Sequence, residues 1–197
     1  MIDYQKQPVK SIDIWQFDIE PKQKSEPFLR QVLLHYIPNA ELVIERDKFG
    51  KPYLRDFPAW QFNLSHSSEK LLIAVSFGKP VGIDVERVKS RHSLSNLIKK
   101  CFAPSEQDYF FALPENEKIS VFYDFWTRKE AVVKGIGRGI VLGLNRCEID
   151  VTQPDVFLHL PVTEQWYTKK IIISSDYCAA IAILWENANV NLIENCK

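Results

Sequence analysis

The chain has 197 residues, 46% of them apolar and 25% charged, the make-up of one large or two small globular domains. Lys plus Arg equals Asp plus Glu at 25 each, so no net field draws the chain towards nucleic acid or a membrane surface. The apolar runs near residues 71–75 and 177–185 are too short to span a bilayer, no apolar signal segment stands at the N-terminus, and the four scattered cysteines form no C-x-x-C pair. A cytoplasmic protein without a cysteine metal cluster or disulfide framework is the expectation.

Taken in order, residues 11–17 alternate and predict a strand; the second half of 22–36 repeats Phe28, Val32 and Tyr36 at fours and predicts a helix, closed after Pro38 and Asn39. Residues 42–44, 52–54, 61–64 and 71–77 predict strands joined by turns. The FGKP at 77–80 is the best boundary signal, dividing the chain into halves 1–79 and 80–197. Residues 81–86 predict the next strand and 94–101 a short helix. Pro104 suits a helix's first position, with Glu106 favouring the same end. After Pro114 a long helix runs to Lys134, where Gly135, Gly137 and Gly139 stop it. Strands are expected at 146–151, 157–160, 171–174 and 177–185, with a turn at Ser175 and Asp176 and a polar, fraying last dozen residues. A faint internal repeat sets Ile12-Asp13-Ile14 beside Ile83-Asp84-Val85, each opening a half that ends in an apolar strand.

Three stretches carry chemistry. In VGIDVERV (81–88), Asp84 and Glu86 stand two apart and so share one strand face, where two like charges are costly unless a cation bridges them; carboxylate oxygens suit magnesium. In FNLSHSS (62–68), Ser65 and His66 place a hydroxyl and an imidazole beside a turn. On the long helix, Trp126, Glu130 and Lys134 lie four apart along one line, although Glu130 and Lys134 by spacing alone also describe an ordinary surface ion pair.

GKPYL (50–54), FNLSHS (62–67), VGIDVERV (81–88), FAPSE (102–106) and FWTRKEAVVKGIGRGI (125–140), in this order, resemble the 4′-phosphopantetheinyl transferases of the surfactin-synthetase-activating type. The resemblance implies an α+β fold, a pseudo-twofold pair of similar α+β subdomains with the active site in the cleft between them. It implies transfer of the phosphopantetheine arm of coenzyme A to a serine of an acidic apo carrier protein, releasing 3′,5′-ADP, by a monomeric enzyme. By match to the family's motifs, Asp84, Glu86 and Glu130 would hold Mg2+, with Glu130 or a metal-held water taking the serine's proton. Lys129 and Lys134 would face the diphosphate, Lys51 would contact the coenzyme's phosphates, and Ser65 and His66 would border the nucleotide. The basic helix that usually grips the 3′-phosphate is missing between residues 21 and 27, leaving Lys22, Lys24 and Arg30 as substitutes and 3′-dephospho-coenzyme A as an expected donor. The acid-free run of Arg87, Lys89, Arg91, Lys99 and Lys100 is a docking rim or a solvated basic face. His35, His92 and His159 carry no such support. A magnesium-dependent diphosphate hydrolase and a non-catalytic coenzyme A or carrier-binding module are the rival readings; an intact Asp84, Glu86 and Glu130 set argues against the second.

Overall fold

A computed structural model describes residues 11–90 and 94–194. The first half contains β1 (Ser11–Asp18), α1 (Glu26–Tyr36), β2 (Ile44–Arg46), β3 (Pro52–Leu54), β4 (Trp60–Ser67) and β5 (Lys70–Phe77). The second contains β6 (Val81–Arg87), α2 (Leu94–Cys101), α3 (Pro104–Ala112), α4 (Glu115–Ile136), β7 (Glu148–Ile149), β8 (Phe157–His159), β9 (Tyr167–Ile171) and β10 (Tyr177–Ile183). The last strand, β11 (Asn189–Glu194), returns to lie parallel to β1. Thus Asn189–Glu194, within the stretch expected to fray, form an edge strand of the first sheet, and the strand expected at 171–174 is centred earlier, at β9; residues 195–197 lie outside the described residues.

The fold is α+β, and its two halves repeat one connectivity. In the first, the opening strand β1 pairs antiparallel with the final strand β5, which pairs in turn with β4. In the second, β6 pairs antiparallel with β10, which pairs with β9. Asp13 on β1 and Asp84 on β6 occupy matching places, so the faint sequence repeat has a structural basis.

Strand alternation decides the layering. Ile12, Ile14, Leu72 and Ala74 of the first sheet meet Val81, Ile83, Val85 and Ile181 of the second in a central apolar layer. The opposite face of the first sheet packs Phe17, Phe62 and Ile73 on Leu29 and Leu33 of α1. The outer face of the second presents Ala180 and Ala182 to Phe122, Phe125 and Val132 of α4. The result is a helix, two sheets and a helix in layers, with the central strands β5 and β10 buried on both faces.

At the crossing of β6 and α4 the backbones nearly touch. A Cβ on Gly82 would lie 1.9 Å from the carbonyl oxygen of Ala131 and 2.4 Å from the amide nitrogen of Gly135, while one on Gly135 would strike the Trp166 ring at 2.5 Å. Neither backbone can yield like a flexible side chain, so this approach requires glycine. Gly137 ends α4 in the left-handed conformation (φ 76°), its N–H bonded to Val133 O. Gly82→Ala is expected to cost at least about 1–3 kcal/mol of stability in a denaturant titration, by prising β6 from α4. An unchanged unfolding midpoint would contradict the close crossing.

Candidate active site

Because β6 alternates, Asp84 and Glu86 point to the α4 side of the second sheet. Asp84 is buried, at 3% exposure. Its Oδ1 accepts from Lys134 Nζ at 2.5 Å and from Ser65 Oγ at 2.9 Å. Its Oδ2 is buried with no hydrogen-bond partner among the described residues. Burial pushes the Asp84 carboxyl up, and the Lys134 ammonium and Ser65 hydroxyl oppose that push. Ser65 also accepts from Lys134 Nζ at 2.9 Å and, at 3.4 Å, from Val85 N–H. With one donor and two lone pairs engaged, its hydroxyl is saturated by protein. Ser65 is thus held beside Asp84 at the seam between the two halves.

Glu86 lies one strand repeat further and accepts from Ser67 Oγ at 3.1 Å. Glu130, one helical turn before Lys134, faces the same region. Burial holds its carboxyl above the ordinary value; the charges of Asp84 and Glu86 push the same way and Lys134 opposes them. The three carboxylates predicted from sequence thus act on one another, although among the described residues no three His, Cys, Asp or Glu side chains form a ready metal cage.

A cavity of about 450 Å³ opens in front of Glu130 and Lys134, between the halves. Lys51, His66 and Arg46 of the first half line it, and Lys134 in its lining connects it to Asp84. Lys51 reaches across to donate to Gly135 O at 2.6 Å, capping the last turn of α4. Burial lowers its ammonium to about 8. His66 is exposed on the cavity rim.

Lys129 is a correction. It is fully buried, paired with Glu106 at 2.6 Å and donating to Leu144 O and Cys147 O. Adjacent helical positions point to different sides, so a helix that turns Glu130 and Lys134 to the cavity turns Lys129 towards α3 and β7. Glu106 completes the joint by accepting from Ala103 N–H at 2.6 Å and Ile149 N–H at 2.7 Å. The FAPSE and Lys129 motif positions therefore hold the second half together and do not face a diphosphate. Lys22 and Lys24 are exposed away from the cavity lining, and Arg30 is engaged with Glu26 and Leu42 O. Besides Lys51 and Lys134, the cavity lining includes Arg46, which donates to Gly50 O at 2.8 Å. No motif contains it; it reaches the cavity from β2, which pairs with β3 in the hairpin leading into GKPYL.

Of the remaining basic candidates, Lys99 and Lys100 are exposed on α2 and Arg87 pairs with Glu69. Arg91 and His92 lie outside the described residues. His35 packs edge-on against Trp15 and His159 is exposed.

A two-half α+β fold that gathers cations and carboxylates around one interfacial cavity is the class defined by these observations. Residues 80–182 match the family model described as the 4′-phosphopantetheinyl transferase superfamily, and the chain belongs to that superfamily. It is 32% identical over 160 residues to the 4′-phosphopantetheinyl transferase HetI of Nostoc sp. (strain PCC 7120), covering 79% of this chain and 67% of that protein. It is 33% identical over 132 residues to the 4′-phosphopantetheinyl transferase gsp of Aneurinibacillus migulanus, covering 67% and 53% respectively. Against Sfp of Bacillus subtilis (strain 168) the identity is 28% over 149 residues, 75% of this chain and 65% of that one. The chain thus spans about half to two thirds of the relatives it matches.

Two measurements check these assignments. Lys129→Met leaves Glu106 buried without its counter-ion, so unfolding titrations should show a loss of about 3–5 kcal/mol, with part of it regained in Glu106→Gln/Lys129→Met. Glu130 behaves oppositely. Its folded carboxyl is held above the unfolded value, so the folded state binds more protons and loses stability as pH rises from the unfolded value through the raised one. Glu130→Gln should raise the melting temperature near neutral pH and change nothing below about pH 4. A gain at acid pH only would reverse the assignment.

Proposed function

We propose that the protein transfers the 4′-phosphopantetheine arm of coenzyme A to a serine hydroxyl of an apo carrier protein and releases 3′,5′-ADP. The observation that carries this reading is the interfacial cavity, where Lys51, Arg46 and His66 from one half meet Glu130 and Lys134 from the other in a chain of this superfamily. The donor set also fits a magnesium ion. Asp84, Glu86 and Glu130 offer hard oxygens, and the buried, unpartnered Oδ2 of Asp84 is a lone acceptor that a cation would satisfy. Bound there, the ion would supply neutralising charge to the diphosphate.

The chain's own residues do the rest. The serine oxygen attacks the phosphorus that bears the pantetheine arm, forming a new P–O bond as the bond to the ADP leaving group breaks. Phosphoryl transfer asks mainly for positioning and charge neutralisation. Lys134 and Lys51 bring positive charge to the two sides of the cavity, and ADP leaves with the electron pair of the broken bond. Glu130, its basicity raised by burial and by Asp84 and Glu86, receives the serine's proton. The exposed Lys99 and Lys100 of α2 form the rim that an acidic carrier meets. We read residues 1–79 and 80–197 as the two subdomains of a cytoplasmic monomer; no described helix is long and apolar enough to cross a membrane.

Incubating the protein with coenzyme A, Mg2+ and a panel of apo carriers, then weighing the carriers, tests the reading. One phosphopantetheine per modified carrier, with an equal amount of 3′,5′-ADP and no reaction under chelation, is the expected result. Diphosphate cleavage without a gain in carrier mass would make the protein a hydrolase. Coenzyme A affinity should also fall as pH rises through about 8, where Lys51 loses its proton, and Lys51→Met should abolish that dependence.

A further inference from the structure

Strand β6 is an edge strand of its sheet, paired with β10 on one side only. On its other side, three of its N–H groups are met by side chains of β4 from the first half. Ile83 N–H donates to Asn63 Oδ1 at 2.9 Å, Val85 N–H to Ser65 Oγ at 3.4 Å and Arg87 N–H to Ser67 Oγ at 3.1 Å. The spacing of two on both strands makes this a side-chain ladder, which caps donors that an edge would otherwise leave open.

The two serines do more than cap. Each turns its own proton to a carboxylate on the strand it caps, Ser65 to Asp84 and Ser67 to Glu86. Asn63, the third rung, has no carboxylate opposite it. A hydroxyl that accepts from one residue's backbone N–H and donates to the side chain of the residue before it fixes both at once. The carboxylate's rotamer is then set by a group belonging to the other half of the molecule. Ser65 also touches Lys134, whereas Ser67 is outside the cavity lining.

We propose that Ser67 is a positioning residue for the divalent cation: its hydroxyl orients Glu86 from across the seam, so cation affinity depends on the two halves being joined. This rests on the assignment of Mg2+ to Asp84, Glu86 and Glu130. Groups that hydrogen-bond to metal-ligating carboxylates commonly alter metal affinity by about 10–100-fold when removed.

The test is Mn2+ binding to the full chain, read by electron paramagnetic resonance of the free ion with Mg2+ as competitor, well below the melting temperature. Mn2+ stands in because it shares the preference for carboxylate oxygen. Ser67→Ala and Ser67→Val should weaken Mn2+ binding by about tenfold or more. Ser67→Thr, isosteric with valine but retaining the hydroxyl, should bind as the wild type does. Coenzyme A binding without metal should be the same in all four proteins, because Ser67 is outside the cavity lining. Equal Mn2+ affinity in the threonine and valine variants would overturn the proposal while leaving the magnesium assignment standing. A wild-type protein that binds no Mn2+ and no Mg2+ would remove that assignment and the proposal with it.

Discussion

A single buried carboxylate, that of Asp84, sets the terms for the rest of the molecule. Burying an ionised group is costly unless it is paired and hydrogen-bonded. Asp84 gets its partners from two other elements, the ammonium of Lys134 on α4 and the hydroxyl of Ser65 on β4. Each has its own structural requirement. Lys134 comes within reach because Gly82 and Gly135 let β6 and α4 cross with backbones almost in contact. Ser65 comes within reach because the side-chain ladder joins β4 to the edge of β6. The fold and the site are thus parts of one arrangement.

The repeat within the chain shows what the second half adds. Asp13 and Asp84 open equivalent strands and face equivalent helices. In the first half, Asp13 accepts from the hydroxyl of Tyr36 near the end of α1, and from Asn191 on β11, a closed structural network. In the second, the helix near Asp84 supplies Lys134 and Glu130, and a cavity opens in front of them. The same slot is met by a tyrosine hydroxyl and an asparagine amide in the first half and by a lysine ammonium in the second.

Much of this was legible in the sequence, for reasons tied to particular residues. Alternation placed Asp84 and Glu86 on one strand face, and the four-residue step aligned Glu130 with Lys134. The helix stop at Gly137 followed from glycine's tolerance of positive φ. Lys129 was misjudged because a motif reports which residues recur together, not which way each one points. Its partner Glu106 lies on another helix, and only packing brings the two together. Arg46 and β11 were missed for the same reason: one becomes relevant through a hairpin that folds over the cavity, the other through pairing with a strand at the far end of the chain. The bonding capacity of Ser65 is used within the protein, which only a full set of partners can show.

The central claim is that Asp84 and Lys134 form one charge unit at the seam. A double-mutant cycle in unfolding free energy tests it most directly, using Asp84→Asn, Lys134→Met and the pair together. Lys134→Met alone should be the costlier single change, because it leaves a buried carboxylate unpaired. The two changes together should cost less than the sum of the single costs by about 1–3 kcal/mol. Additivity to within about 0.5 kcal/mol would contradict the account, since two groups that do not feel each other cannot be what the site is built around.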